Sequence, residues 1–132
     1  MQIIHFKNLV STPWKNGKGT TRQIIRYPED STLDNFLFRV SIASITETGA
    51  FSSYPKINRS LAVLEGSDLE LNLNDTIIHF IPQNTIIHFD GIDKANVTAC
   101  PNAVLDFGVM SRQGLAIHTL KKISLHHNQL FT

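Results

Sequence analysis

Two arginines on predicted strands are the residues best placed to bind a small anion. Arg39 alternates with Ser41 along an apolar segment, and Arg59 comes just before a second apolar segment. A guanidinium that points into a β enclosure presents a fork of N–H donors that fits the two oxygens of a carboxylate. The alternative is a structural ion pair between an arginine and an internal acid such as Asp106 or Glu65. Asp106 is therefore a candidate either for orienting an arginine or for contacting a ligand.

A loop with two glycines offers further donors. Lys15 and Asn16 follow Trp14, and Gly17 and Gly19 lie just beyond them. Glycine lets the backbone approach a ligand closely, so the loop predicts an anion or carboxylate site with Trp14 as a wall. The loop does not match a phosphate-binding P-loop, because its lysine is followed by glycine rather than by serine or threonine. The alternative is a structural loop whose tryptophan covers the core.

The spacing of the histidines and the position of the cysteine give little support to metal binding or covalent catalysis. His79 and His88 lie on two candidate strands and could face one another, but no His-x-His pair is present. A catalytic metal needs about three converging protein ligands, so neither a metal nor another cofactor is expected. Cys100 precedes Pro101 and is predicted to be a small buried apolar residue. No residue is assigned a catalytic role.

The elements that must position these side chains are β-strands, because apolar residues recur with a period of two. One such segment puts Phe36, Phe38, Val40 and Ile42 on one face and Leu37, Arg39, Ser41 and Ala43 on the other. Other candidate strands span residues 2–9, 20–27, 60–64, 69–73, 76–80, 85–89, 94–99, 103–110 and 115–125. A short turn with Gly66 predicts a hairpin between 60–64 and 69–73. Only residues 28–35 are expected to hold a helical turn, so the sequence predicts an all-β, antiparallel sandwich or barrel.

Length and charge set the protein class. The 132 residues suit one domain spanning 1–132, and the net charge of +1 without a basic run argues against a nucleic-acid partner. The single cysteine does not suggest an oxidising compartment. The first ten residues lack signal-peptide features, and no apolar run reaches the roughly 18 residues of a membrane span. A cytoplasmic protein without a membrane partner is expected.

Five segments in order resemble the HutD/Ves family. They are residues 13–22 (PWKNGKGTTR), 38–43 together with 49–55, 58–66, 89–91 and 106–112. The resemblance covers about residues 10 to 114 and implies a cupin-like β-sandwich or barrel of the RmlC-like jelly-roll type. Some members of the family are encoded beside histidine-utilisation genes and others are linked to stress response. A regulatory or metabolite-sensing role is usually suggested, and no settled reaction comes with the family.

Two features depart from the family pattern. Family members are usually longer, with a second β lobe after the segment that ends at Arg112. The family often has phenylalanine at the position of His88 and glycine at that of Lys18. A lobe without its partner would leave an open sheet edge, which invites pairing with another chain, so a homodimer is expected.

The leading hypothesis is a non-enzymatic cupin that binds a small carboxylate, such as a histidine-catabolism metabolite by family analogy. The predicted ligand-binding residues are Trp14, Lys15, Asn16, Arg39, Ser41, Arg59 and Asp106. A metal-independent, isomerase-like enzyme is the first alternative, and it needs a general base with a shifted pKa in a pocket. A cavity lined with His79, His88 and a carboxylate would favour it. The second alternative is a structural or interaction module with a vestigial pocket, which a filled core would favour.

Overall fold

The fold consists of two antiparallel sheets in a computed structural model that describes residues 3–14, 17–66, 68–80 and 85–123. The strands in the described part are β1 (Ser11–Pro13), β2 (Gly19–Tyr27), β3 (Phe38–Ile45), β4 (Gly49–Ala50), β5 (Ile57–Glu65), β6 (Leu69–Leu73), β7 (Thr76–Phe80), β8 (Ile86–Asp90), β9 (Ala95–Ala99) and β10 (Val104–Arg112). The larger sheet has the order β1-β2-β3-β10-β5-β8, and the smaller has the order β4-β9-β6-β7. The predicted all-β, antiparallel class is thus confirmed.

The core lies between the two sheets and follows from the period-two alternation of the strands. Leu69 and Leu71 of the smaller sheet are at most 1% exposed, and they belong to the same buried cluster as Leu61 and Val63 of the larger sheet. Each such side chain contributes roughly 1.5–3 kcal/mol on burial. The described ladders do not join one sheet to the other, so the molecule is a sandwich and not a closed barrel.

The predicted hairpin between residues 60–64 and 69–73 is wrong. β5 belongs to the larger sheet and β6 to the smaller one, so the turn between them carries the chain from one sheet to the other. Gly66 adopts φ 104° in this turn, and a Cβ there would come within 2.6 Å of the Val104 side chain. A glycine-containing turn indicates a change of direction, but the pairing of β5 with β10 and β8 decides its sheet.

Two other predicted strands differ from the structure. The segment predicted at 2–9 contains a short 3-10 helix, Phe6–Asn8, and residue 2 lies outside the described residues. Residues 115–123 form no ladder, and the rest of the 115–125 prediction is likewise outside the described part. The turn expected within 28–35 is present as one helical turn, in which the Phe36 N–H donates to the Thr32 carbonyl oxygen at 3.1 Å. No helix in the described ranges is long and apolar enough to span a membrane.

Candidate functional site

Three arginines and a methionine form a row of paired residues across the inner face of the larger sheet. Directly paired residues on neighbouring antiparallel strands point to the same face. Arg39 of β3 pairs with Met110 of β10, which pairs with Arg59 of β5, and Arg26 of β2 pairs with Arg39 from the other side. We call Arg26, Arg39, Met110 and Arg59 the arginine row. The row shares its face with Leu61 of the core cluster, so its arginines point inward.

The other predicted polar residues lie on the same face, further along the strands. Ser41 pairs with Gly108 one step from the arginine row, and Asp106 pairs with Ala43 one step beyond. Successive steps are about 7 Å apart, since alternate residues of a strand share a face. A Cβ added to Gly108 would find its nearest neighbour, the Ser41 hydroxyl, 3.8 Å away. Gly108 therefore contributes no side chain between the arginine row and Asp106.

A cleft of about 1310 Å³ lies over this face. The Trp14 indole N–H donates to the Thr21 hydroxyl at 2.7 Å, and its ring meets the Phe51 ring edge-on at a centroid distance of 6.3 Å. These contacts fix the tryptophan as a wall of the cleft. Its other boundaries come from the loop between β4 and β5, which includes Tyr54, and from the segment that leads into β1. This open space differs from the filled core that the alternative of a vestigial pocket would favour.

Arg59 is a partly buried cation surrounded by aromatic rings. Its guanidinium carbon lies 5.0 Å from the ring centroid of Phe89, 5.4 Å from that of Tyr54 and 5.5 Å from that of Phe51. Burial lowers the pKa of Arg59, with the charge of Asp106 acting in the opposite direction. The guanidinium nevertheless keeps its charge at neutral pH. A long 3.4 Å bond to the Ser52 carbonyl oxygen uses one of its five N–H donors, so the others can bind an anion.

Arg39 and Arg26 converge on a glutamine that the sequence prediction missed. Gln23 Oε1 accepts a 3.0 Å bond from Arg39 Nε and a 3.4 Å bond from Arg26 Nη1. Arg26 Nε is buried and has no hydrogen-bond partner among the described residues. A β-bulge between Gln23 and Ile25 shifts the register of β2, so that Arg26 faces inward and Ile25 outward. Strict alternation from Gln23 would have placed Ile25 inside, which is why the pattern did not reveal Arg26.

Asp106 lies at the bottom of the cleft and is 5% exposed. Burial raises the pKa of its carboxyl to about 7, although the charge of Arg59 and the backbone N–H of Ala43 act in the opposite direction. Asp106 forms no ion pair within 4.0 Å in the described part of the chain, and Glu65 is exposed at the end of β5. The internal ion pair considered as the structural alternative is therefore absent from these residues.

The other candidates lie at the rim of the cleft, away from it, or outside the described residues. Lys15 and Asn16 fall outside the described residues, and Lys18 of the same loop forms a 2.7 Å ion pair with Glu47. Arg112 stabilises the turn before β3 by donating to the Phe36 carbonyl oxygen at 2.8 Å and to that of Asp34 at 3.1 Å. Cys100 packs beside the core cluster, and burial raises the pKa of its thiol.

The expectation that His79 and His88 could face one another is wrong, because they belong to different sheets. His79 lies on β7, 3.6 Å from the Glu70 carboxylate and beside a separate hollow of about 610 Å³. His88 lies on the outer face of the larger sheet. The described residues contain no group of three histidine, cysteine or acidic side chains that could hold a metal ion.

A second polar cluster lies on that outer face, opposite the cleft. The buried Ser60 hydroxyl is 2.5 Å from His88 Nδ1 and 2.7 Å from His118 Nε2. His118 Nδ1 is in turn 2.7 Å from the Ser111 hydroxyl. Burial, and secondly the proximity of His88, lower the pKa of His118. This cluster fastens the segment after β10 across the sheet, on the side away from the arginines.

Comparison with known proteins places the chain among cupin-like proteins. The family model described as HutD matches residues 6–132. Protein Ves from Escherichia fergusonii is 33% identical over 114 residues, which are 85% of this chain and 58% of the Ves protein. The structure of HutD from Pseudomonas fluorescens SBW25, described as a formate condition, superposes with a TM-score of 0.74 and 29% identity. That match covers 81% of this chain and 58% of the HutD chain.

A more distant structure has the same fold. The cupin domain of an XRE-family transcriptional regulator from Enterobacter cloacae matches with a TM-score of 0.55 and 14% identity, over 71% of this chain and 96% of that domain. The predicted cupin-like fold is thus confirmed. The chain spans about three fifths of the length of the two nearer relatives named above.

Proposed function

The chain belongs to the HutD family, and from this premise we propose that it binds a small carboxylate in the cleft between its two sheets. The observation that carries the proposal is the arginine row, in which three inward guanidinium groups lack an ion pair among the described residues. Partly buried cations of this kind gain most from an anionic ligand that they can bind through two parallel hydrogen bonds.

The positions of the side chains suggest how the ligand is held. Arg39 and Arg59 flank Met110 on either side, so a carboxylate above Met110 can accept hydrogen bonds from both. The Ser41 hydroxyl lies one step away and donates to a second polar group of the ligand. Trp14 packs against its apolar part. Lys15 and Asn16, from the loop after Trp14, complete the proposed set of donors.

The size of the cleft and the family together suggest the ligand class. A volume of about 1310 Å³ exceeds the roughly 300–1,000 Å³ of most small-molecule sites, so the cleft accommodates metabolites larger than formate. By family analogy the ligand is a carboxylate from histidine catabolism, and the role is regulatory or metabolite-sensing, in histidine utilisation or stress response. The fold by itself does not imply such a role, so the assignment depends on the binding test.

Calorimetric titration with formate, formylglutamate and urocanate tests the proposal. We expect at least one of the three to bind and an Arg59→Gln variant to bind at least tenfold more weakly, because truncating a buried charged partner costs about 2–5 kcal/mol. Arg22→Gln is the matched control, since Arg22 lies on β2 but stacks on Phe6 outside the cleft, 4.3 Å from the ring centroid. The absence of heat with all three ligands, or unchanged binding by a folded Arg59→Gln variant, would refute the proposal.

One observation favours an isomerase-like enzyme as the second candidate. Asp106 is a buried acid whose pKa of about 7 suits a general acid or base, and it opens onto the same cleft. His79 and His88, which the sequence analysis expected to favour an enzyme, lie elsewhere. Turnover of a bound carboxylate, detected by NMR and abolished in an Asp106→Asn variant, would identify an enzyme; recovery of unchanged ligand identifies a binding protein.

The proposal includes a homodimer. The larger sheet ends at β1 and β8 and the smaller at β4 and β7, and within the described part of the chain these outer strands pair with another strand on one side only. Pairing of two copies along such a strand satisfies the backbone groups on its other side. Light scattering at micromolar concentration tests this, and a monomeric mass would rule out the dimer.

A further inference from the structure

Asp106 and the arginine row form one electrostatic unit at the bottom of the cleft. Asp106 lies two steps from the row along β10, and Gly108 contributes no side chain between them. We propose that the cleft takes up its anion together with a proton, which Asp106 holds while the anion is bound and releases when the anion leaves. This inference rests on the proposed carboxylate-binding function and adds a pH-dependent regulation to the same site.

Geometry places the ligand and Asp106 in one cleft and couples them through Arg59. A ligand carboxylate that accepts from Arg39 and Arg59 sits above the same face as Asp106, with no side chain at Gly108 between them. Asp106 lies two steps, about 13 Å of strand, from the arginine row, so the ligand acts on it mainly through Arg59, whose charge lowers the pKa of Asp106 in the unliganded protein. A carboxylate bound to Arg59 offsets that charge and adds a second negative charge to the cleft, and both effects raise the pKa of Asp106, so Asp106 takes up a proton.

The groups that face Asp106 decide which carboxylate takes the proton. The charged side chains along the cleft are cations on three strands, namely Arg26 on β2, Arg39 on β3 and Arg59 on β5. At its rim lie Tyr54, Arg112, Lys56 and Asp34. The ligand can contact the arginine row directly, whereas Asp106 does not, so the ligand stays ionised and Asp106 is protonated.

The unliganded protein is already close to this state. Burial holds the pKa of Asp106 at about 7. A modest further rise of this pKa on ligand binding is therefore enough for Asp106 to hold its proton at neutral pH. Below neutral pH the acid carries its proton before binding and little uptake is expected. Above neutral pH binding is accompanied by the uptake of part of a proton, so the apparent affinity falls as the pH rises, by at most tenfold for each pH unit.

Protons can be counted during binding. Formate and formylglutamate are suitable probes, because their carboxyl groups do not titrate between pH 6 and 9. Calorimetry in two buffers with different ionisation enthalpies gives the number of protons taken up. For the wild-type protein we expect the uptake of a clear fraction of a proton at pH 7.5 and little uptake at pH 6. An Asp106→Asn variant, which keeps the shape of the side chain but cannot titrate, should show no uptake and no change of affinity across this range.

The controls separate this inference from the function on which it rests. Asp75→Asn removes an exposed carboxylate in the turn between β6 and β7 and should keep the wild-type pH dependence. Binding of either probe without proton uptake at pH 7.5, or an Asp106→Asn variant that still takes up a proton, overturns the inference and leaves carboxylate binding intact. Failure of both probes and of urocanate to bind at any pH overturns the proposed function instead. Should the Asp106 variant not fold, proton counting on the wild-type protein alone decides.

Discussion

The buried carboxyl of Asp106 makes the stability of the unliganded protein depend on pH in an unusual direction. Its folded pKa is about 7, compared with about 3.9 in an unfolded chain. Between these values the folded state holds a proton that the unfolded state releases, so the free energy of unfolding falls as pH rises and levels off above pH 7. Most aspartates are ionised more easily in the folded state and have the opposite effect.

The magnitude follows from the shift of the pKa. About three pKa units at roughly 1.4 kcal/mol each give an upper estimate of about 4 kcal/mol, of which some 2–3 kcal/mol develops between pH 5 and pH 8. An Asp106→Asn variant lacks this dependence. Relative to the wild type it should therefore gain about 2–3 kcal/mol of stability on going from pH 5 to pH 8.

Urea unfolding of both proteins at the two pH values measures this difference. The lowered pKa of His118 acts in the other direction, because its contribution is present above the unfolded pKa of about 6.5 and is lost as pH falls through the lower folded value. Both proteins contain His118, so its effect cancels in the comparison. The exposed Asp75→Asn change is the control. If the difference between the Asp106 variant and the wild type is the same at pH 5 and pH 8, the argument for a protonated buried acid is refuted.

Three further predictions concern the surroundings of the cleft. Thr21→Val removes the acceptor of the Trp14 indole N–H and should lower the free energy of unfolding by about 1–3 kcal/mol, measured by urea unfolding followed through tryptophan fluorescence. Gly91→Ala places a Cβ 2.1 Å from the Tyr54 carbonyl oxygen, so it should lower the melting temperature and weaken formate binding by displacing a ring beside Arg59. Protonation of His118 below its lowered pKa should loosen the segment after β10, seen as hydrogen exchange of residues 115–123 that becomes faster as the pH is lowered from 7, after correction for intrinsic rates.

The grouping of side chains on the two faces of β3 could be predicted because it follows the alternation of the strand. Arg39 and Ser41 were placed on one face by the sequence, and the register of β3 against β10 puts both on the cleft side. The sequence could not show which face is inside. The more apolar face, with Val40 and Ile42, lies on the outer side of the sheet and is only partly covered.

The residues that sequence analysis missed depend on irregularities and on long-range pairing. Arg26 reaches the cleft only because a bulge shifts β2 by one residue, and period-two alternation contains no record of a bulge. The hairpin error has a similar origin, since a turn specifies a reversal of direction but not the sheet that the next strand joins. His79 and His88 occur in identical pentapeptides, yet tertiary pairing sends the two strands to different sheets.

The central position of β10 determines when the protein can fold during its synthesis. β10 lies between β3 and β5, yet residues 104–112 leave the ribosome after both of its neighbours. Until then β3 and β5 each lack the same partner, and the nascent chain carries two incomplete edges that other chains can join. The floor of the cleft is complete only when β10 has paired with β3 and β5. The proposed ligand therefore cannot assist folding before that step and stabilises only the finished sandwich.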